Sequence, residues 1–175
     1  FEVGYSEAKE RVVIPVRDAQ YKVVGFIGRA IKSEQEPRYL YNKGFKRADV
    51  LFNIQNAKKY NSCIIVEGSI DAMFIHQAGF PNVVATLGGF LSNEQQSLLN
   101  RHFNKIIIMT DADEAGRELG KSISSKLRNK DISWASCGYR EIYPNKAKDA
   151  GDLTEEEIKI CIKNSISDIE YRSWI

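Results

Sequence analysis

Short β-branched runs alternate with helix-spaced stretches along most of this chain. Arg11–Arg17 (RVVIPVR) and Lys22–Arg29 (KVVGFIGR) are separated by the polar Asp18–Tyr21, which predicts a hairpin. Arg38–Arg47 (RYLYNKGFKR) has no clean period and contains Gly44, so it is read as a loop or irregular arm, followed by a short capped helix over Asp49–Lys59. From Ser62 the order changes to strands alternating with helices. Cys63–Glu67 (CIIVE), Asn82–Thr86 (NVVAT), Lys105–Thr110 (KIIIMT) and Ile132–Cys137 read as strands. Ile70–Ala78, Asn93–His102, Glu114–Lys130 and Thr154–Asn164 read as helices, and Thr154 and Glu157 have the spacing of a capping box. This βαβαβαβ order implies a mostly parallel central sheet flanked by helices, preceded by a small mixed α/β lobe: an α/β fold.

Composition adds an ordinary globular background, with 43% hydrophobic and 27% charged residues in 175. The longest apolar runs, Cys63–Val66 and Ile106–Met109, are far too short to span a bilayer, and no signal-peptide pattern opens the chain. A cytoplasmic setting with no membrane partner is the expectation. Cys63, Cys137 and Cys161 form no CxxC pair and are expected to be reduced, mostly buried thiols. The chain begins at Phe1 in mid-pattern, which suggests a part of something longer. Charge is unevenly spread. Residues 1–60 carry 12 Lys/Arg against 7 Asp/Glu, and residues 61–175 carry 13 against 16. One part therefore suits phosphates and the other cations.

In an open α/β sheet the carboxyl ends of the strands form the ligand edge. Glu67 closes the first strand of the alternating part, and Asp71 lies one helical turn beyond it. Asp111 and Asp113 follow the third strand as DAD, an i, i+2 spacing that can point both carboxylates to one side. Asp149 and Asp152 (KDAGD) follow the fourth. Acids after strands often serve only as helix caps, and Asp113 could be no more than the cap of the next helix. Three acidic clusters after three strands favour the other reading. Crowded carboxylates repel unless a hard cation such as Mg²⁺ or Mn²⁺ compensates them.

These residues carry a resemblance. Glu67–Gly68 after one strand and Asp111–Asp113 after another, within IIVEGSIDAMFIHQAGFPNVVATLGGFLSNEQQSLL and MTDADEAGRELG, resemble the TOPRIM domain of DnaG-type primases of bacteria and phages. RVVIPVRD, VVGFIGR, PRYL and DVLFNI resemble, in order, the small basic subdomain that precedes TOPRIM in that family. The pattern departs from the family in the wider spacing of Asp149 and Asp152 and in the less basic GYSEAKE before Arg11.

The resemblance implies a basic subdomain over 1–60, a TOPRIM metal-binding domain over 61–153 and a C-terminal helical segment over 154–175. It implies Asp71, Asp111, Asp113, Asp149 and Asp152 as holders of Mg²⁺ or Mn²⁺, with Glu67 as acid/base or further ligand. Arg29, Arg38, Tyr39, Asn42, Lys43, Lys46 and Arg47 would bind nucleotide or template. The implied activity is synthesis of short RNA primers on single-stranded DNA from ribonucleoside triphosphates, in the nucleoid or a phage replisome. A replicative helicase would be met through regions outside this chain. Two other readings of the same residues are a TOPRIM nuclease or topoisomerase fragment and a non-catalytic TOPRIM DNA-binding module. Tyr39 and Tyr41 could stack on unpaired bases. Gly88–Gly89 could approach a phosphate or merely turn the chain, and Arg117 could reach a phosphate or pair with Glu114 or Asp113. His76 and His102 are read as structural, and Met73 and Phe74 as core.

Overall fold

The computed structural model describes residues 1–138 and 141–174. An N-terminal antiparallel sheet has the order β1 (Gly4–Ser6), β2 (Arg11–Arg17), β3 (Val23–Ala30), β4 (Tyr39–Tyr41). The hairpin register pairs Ile14 with Ile27, and Ile14, Val16 and Ile27 are all fully buried, as a one-sided sheet requires. The arm is more regular than its sequence predicts, because Tyr39–Tyr41 adds to the free edge of β3. The helix expected over Asp49–Lys59 shrinks to α1 (Ile54–Ala57). Leu51 and Phe52 are instead buried in extended chain, and Phe52 bridges to Ala85. Tertiary burial of two large apolar side chains overrides local helical preference there.

The second sheet has the order β6 (Val83–Ala85), β5 (Ser62–Val66), β7 (Lys105–Ile108), β8 (Asp131–Trp134), β9 (Ile166–Ser167). The first four strands run parallel and the edge strand β9 antiparallel. Their connections are α2 (Ser69–Gln77), α3 (Asn93–His102) and α4 (Glu114–Lys126), and α5 (Glu155–Lys163) precedes β9. Ile64, Ile65, Ile106 and Ile108 have no solvent exposure, consistent with a sheet covered on both faces. The fourth parallel strand and the helix before it are shorter than their apolar pattern predicts, β8 ending at Trp134 and α4 at Lys126. A final short helix, α6 (Asp168–Arg172), falls within the C-terminal stretch expected to be helical; Tyr171 stacks on Trp134 at 3.7 Å between ring centroids, and Asp168 accepts the Trp134 indole N–H at 2.9 Å. The three cysteines are free, Cys63 and Cys161 buried. Among the described residues no helix is long and apolar enough to cross a membrane.

β5 lies between β6 and β7, so the chain leaves β5 in one direction and returns, after β6 and α3, on its other side. The crevice above the β5/β7 junction is therefore the topological switch point of the sheet, where loops diverge and leave room for a ligand. The segment that follows the N-terminal sheet, Arg47–Val50, is joined to this edge by neutral polar groups. The Gln95 amide, 1% exposed, donates to the carbonyls of Thr86 at 2.7 Å and Val50 at 2.9 Å, while its oxygen accepts the Ser92 N–H at 3.1 Å. The Ser92 hydroxyl donates to Ala48 O at 2.6 Å. A buried carbonyl that loses its donor costs about 1–3 kcal/mol. Gln95→Leu keeps the volume and orphans two such groups, so it should destabilise the chain by roughly 2–4 kcal/mol. Urea unfolding with an unchanged m-value would register the loss as a lower midpoint; an unshifted midpoint would contradict this account of how the segment is fastened.

Candidate active site

Glu67 follows β5 directly and is held from both sides. Its backbone carbonyl accepts the Leu87 N–H at 2.9 Å from the end of β6, and its carboxylate accepts the Asp111 N–H at 3.2 Å from the end of β7. The side chain thus spans the switch point. Gly68 comes next and leaves room for Asp71: a Cβ there would lie 2.5 Å from Asp71 Oδ2, where the carboxylate folds back over the first turn of α2, so a larger residue would push that carboxylate aside. Gly116 has the same kind of role on the other strand: a Cβ would fall 2.2 Å from the Asp111 carbonyl oxygen, so only glycine lets α4 start this close to the DAD segment.

The fourth acidic cluster member arrives from a distance. The buried Tyr143 hydroxyl lies 3.0 Å from Met109 O and 3.1 Å from Thr110 O, and the Ala112 N–H donates to Lys148 O at 2.7 Å. These bonds dock the loop after β8 under the end of β7 and carry Asp149 to the same edge. Tyr143 is invisible to motif reasoning, since a buried tyrosine in a loop has no spacing signature.

Glu67, Asp71, Asp111, Asp149 and Asp152 line one cleft of about 510 Å³. Its opposite wall carries Arg29, Arg38, Tyr39, Tyr41 and Arg47. Gly88 and Gly89 also border it, so this turn faces the cleft as well as ending a strand. The structure brings together nine of the thirteen residues singled out from the sequence. Asp113 instead caps α4, accepting the Gly116 N–H at 2.8 Å, and borders a neighbouring pocket. Asn42 accepts the Phe26 N–H at 2.7 Å and, with Lys43, lines a third pocket near Arg11. Lys46 is exposed outside the cleft lining. Arg117 donates to Ala112 O rather than pairing with Glu114 or Asp113. Phe74, expected in the core, is 40% exposed and borders the cleft.

Backbone amides satisfy most of the acids. Asp149 accepts the Gly151 N–H at 2.9 Å and Asp152 the Lys148 N–H at 3.0 Å. Among the described residues no donor bonds the Asp111 carboxylate. Burial first, then the charges of Glu67, Asp71, Asp149 and Asp113, push its carboxyl up to about 8. Asp71 is pushed up to about 6 by burial and by Asp149, against the pull of backbone N–H groups of its own residue, Gly151 and Gly68. Glu67 is raised by burial, with the Asp111 N–H opposing and the Asp113 and Asp149 charges adding. Among the described residues no three His, Cys, Asp or Glu side chains draw together tightly enough to form a ready-made ion cage. The donor chemistry nevertheless fits a hard divalent cation: half-buried carboxylate oxygens, mutually repelling, with free lone pairs on one side of a cleft.

On the facing wall the cations are held by aromatic rings. The Arg29 guanidinium lies 5.1 Å from the Tyr39 ring centroid and that of Arg47 lies 5.0 Å from the Tyr41 centroid. Burial raises the Tyr39 phenol; Arg29, through charge and a hydrogen bond, opposes, and Asp71 adds to the rise, so Tyr39 stands where the two walls meet.

Residues 3–58 match the family model of the DNA primase catalytic core, N-terminal domain, and residues 64–154 match a Toprim-like model. A DNA primase of Clostridium acetobutylicum is 36% identical over 96% of this chain and 29% of its own length, and one of Aquifex aeolicus is 36% identical over 77% of this chain and 27% of its own. The chain thus spans less than a third of these relatives. The solved Aquifex aeolicus primase, comprising zinc-binding and RNA polymerase domains, superposes with a TM-score of 0.75 at 31% identity, over 91% of this chain and 41% of that one. A DnaG primase catalytic domain bound to single-stranded DNA shares the fold at a TM-score of 0.76 and 23% identity, over 95% of this chain and 56% of that one. These relatives lend no support to the cleaving-enzyme or binding-module readings. With the acidic edge and basic wall in the order its sequence pattern implies, the chain belongs to the DnaG-type DNA primase family and carries that family's TOPRIM domain.

Proposed function

We propose that this chain is the RNA-polymerising core of a DNA primase, joining ribonucleoside triphosphates into short primers on single-stranded DNA. The observation that carries the reading is the opposition, within one cleft, of five carboxylates and three arginines. Nucleotidyl transfer needs both: an anionic cage for divalent cations and a cationic wall for triphosphate and template. Residues 1–60 would act as the basic subdomain, 61–153 as the metal-binding domain and 154–175 as a helical extension. The setting that goes with this work is cytoplasmic, at a nucleoid or phage replisome, beside a replicative helicase met through other parts of the protein.

Asp71, Asp111, Asp149 and Asp152 would hold Mg²⁺ or Mn²⁺, with Asp113 able to join them if it leaves its capping position. Bound there, such ions supply activation of a hydroxyl nucleophile and neutralisation of the leaving pyrophosphate. Glu67 keeps one oxygen on the Asp111 N–H, and its other oxygen is free to take the proton of the primer 3′-hydroxyl. Arg29, Arg38 and Arg47 orient phosphates from the opposite wall, while Asn42, Lys43 and Lys46 lie further along the arm, where they could extend a template contact.

Because Asp71 and Asp111 titrate near 6 and near 8 rather than at 3.8, the native state binds more protons than the unfolded chain between those values. Stability therefore falls as pH rises from about 4 to about 8. Divalent cations compete with protons for the same oxygens, so added Mg²⁺ or Mn²⁺ should raise Tm more near pH 8 than near pH 6. Asp111→Asn should raise the metal-free Tm near pH 8 by roughly 2–4 °C and shrink the metal increment. Thermal melts of both proteins with and without the cation decide it; an Asn variant less stable than the parent near pH 8 would count against the account.

The activity is tested by incubating the chain with single-stranded DNA, labelled ribonucleotides and Mg²⁺ or Mn²⁺. Labelled RNA should appear, and Asp111→Ala should cut its rate by about 10²–10³, the usual cost of losing one preorganised electrostatic group. Arg47→Ala should chiefly raise the KM for nucleotide. Shortened DNA without RNA would transfer the assignment to a nuclease.

A further inference from the structure

Phe74 is not explained by packing. The buried face of α2 consists of Ser69, Ala72 and Ile75. Phe74 lies off that face, and its 40% exposed side chain borders the cleft. Single exposed apolar residues are common and need no explanation by themselves. Two features separate this one. It sits beside the carboxylates: a Cβ built on Gly151 would lie 3.4 Å from Asp71 Oδ1 and 3.6 Å from Phe74 Cε2, so ring edge and carboxylate frame the same point. It is also the free aromatic face of the cleft. Tyr39 and Tyr41 already carry the Arg29 and Arg47 guanidinium groups, whereas among the described residues Phe74 has neither a ring nor a cation against it.

We infer that Phe74 is the stacking platform for the base of the incoming ribonucleotide. This rests on the polymerase reading and deepens it. A nucleotide needs an apolar face for its base within reach of both a cation cage and phosphate-binding arginines, and this cleft offers that combination at Phe74. The template is a poorer occupant, because a polyanionic backbone on this wall would run along Asp71, Asp149 and Asp152. Stacking accepts every base, since each has a π face, which suits an enzyme that must use all four.

The test compares binding of ATP, inorganic tripolyphosphate and single-stranded DNA in the presence of Mg²⁺. Phe74→Leu keeps an apolar side chain and removes the ring. It should weaken ATP about 10-fold, equivalent to about 1.4 kcal/mol, and leave tripolyphosphate and DNA binding unchanged. In primer synthesis the KM for each nucleotide should rise by a similar factor with kcat nearly constant. Phe74→Trp should restore ATP affinity, with indole fluorescence quenched saturably by ATP and not by tripolyphosphate. ATP held equally by parent and Leu variant overturns the inference. So does loss of DNA in place of ATP, or equal loss of ATP and tripolyphosphate. A parent chain that binds ATP no better than tripolyphosphate overturns this inference alone, whereas one that binds neither and makes no RNA removes the proposed function with it.

Discussion

The arrangement depends on like charges being forced together by sheet topology. Once β5 and β7 are neighbours with their connections leaving in opposite directions, the residues after them must meet above the junction. In this sequence those residues are Glu67 and Asp111. Fully buried isoleucines on both strands fix the register, so the acids cannot relax apart without dismantling the best-packed part of the molecule. A half-buried cleft then screens their repulsion poorly, and Asp111 is held near 8. The hydrophobic core thus sustains an electrostatic imbalance that a cation would relieve.

The opposite wall presents the complementary problem of keeping arginines near carboxylates without letting the two collapse into ion pairs. Among the described residues Arg29, Arg38 and Arg47 take part in no salt bridge. Two are held on tyrosine faces, and the backbone beneath the arm is fastened by the neutral groups of Gln95 and Ser92. Attachment through uncharged hydrogen bonds leaves the guanidinium groups available to a polyanion. Had acids anchored the arm, their charge would have offset the field that this wall needs.

Much of this was legible from the chain alone, for identifiable reasons. Strands over buried β-branched runs and the capping box of α5 are local features, and Asn93–His102 coincides with its predicted helix. Glu67 and the DAD segment were legible because they follow such strands within a few residues. What escaped is non-local. β4 exists only because the edge of β3 is there to receive it, and Leu51–Phe52 are extended because the core takes them up. Tyr143 and Gln95 owe their roles to carbonyls far away in sequence. Helical spacing alone assigns Phe74 to the core, because it cannot distinguish a core face from the face beside it when both carry large apolar residues.

The DAD segment shows how little local pattern constrains a side chain at a helix start. Its spacing permits both carboxylates to face one side, yet Asp111 faces the cleft while Asp113 turns to the Gly116 N–H. Capping satisfies an orphan amide and places negative charge at the positive end of α4, and α2 also begins at the cleft edge after Gly68. Two helix N-termini therefore bear on the carboxylates, each stabilising a nearby anion by about 0.3–1 kcal/mol at exposed positions. That is small beside the burial and the neighbouring carboxylate charges that push Asp111 up to about 8. Helix ends moderate the repulsion, but a full positive charge is needed to cancel it, and the geometry leaves Asp111, with no donor of its own, as the acid best placed to receive one.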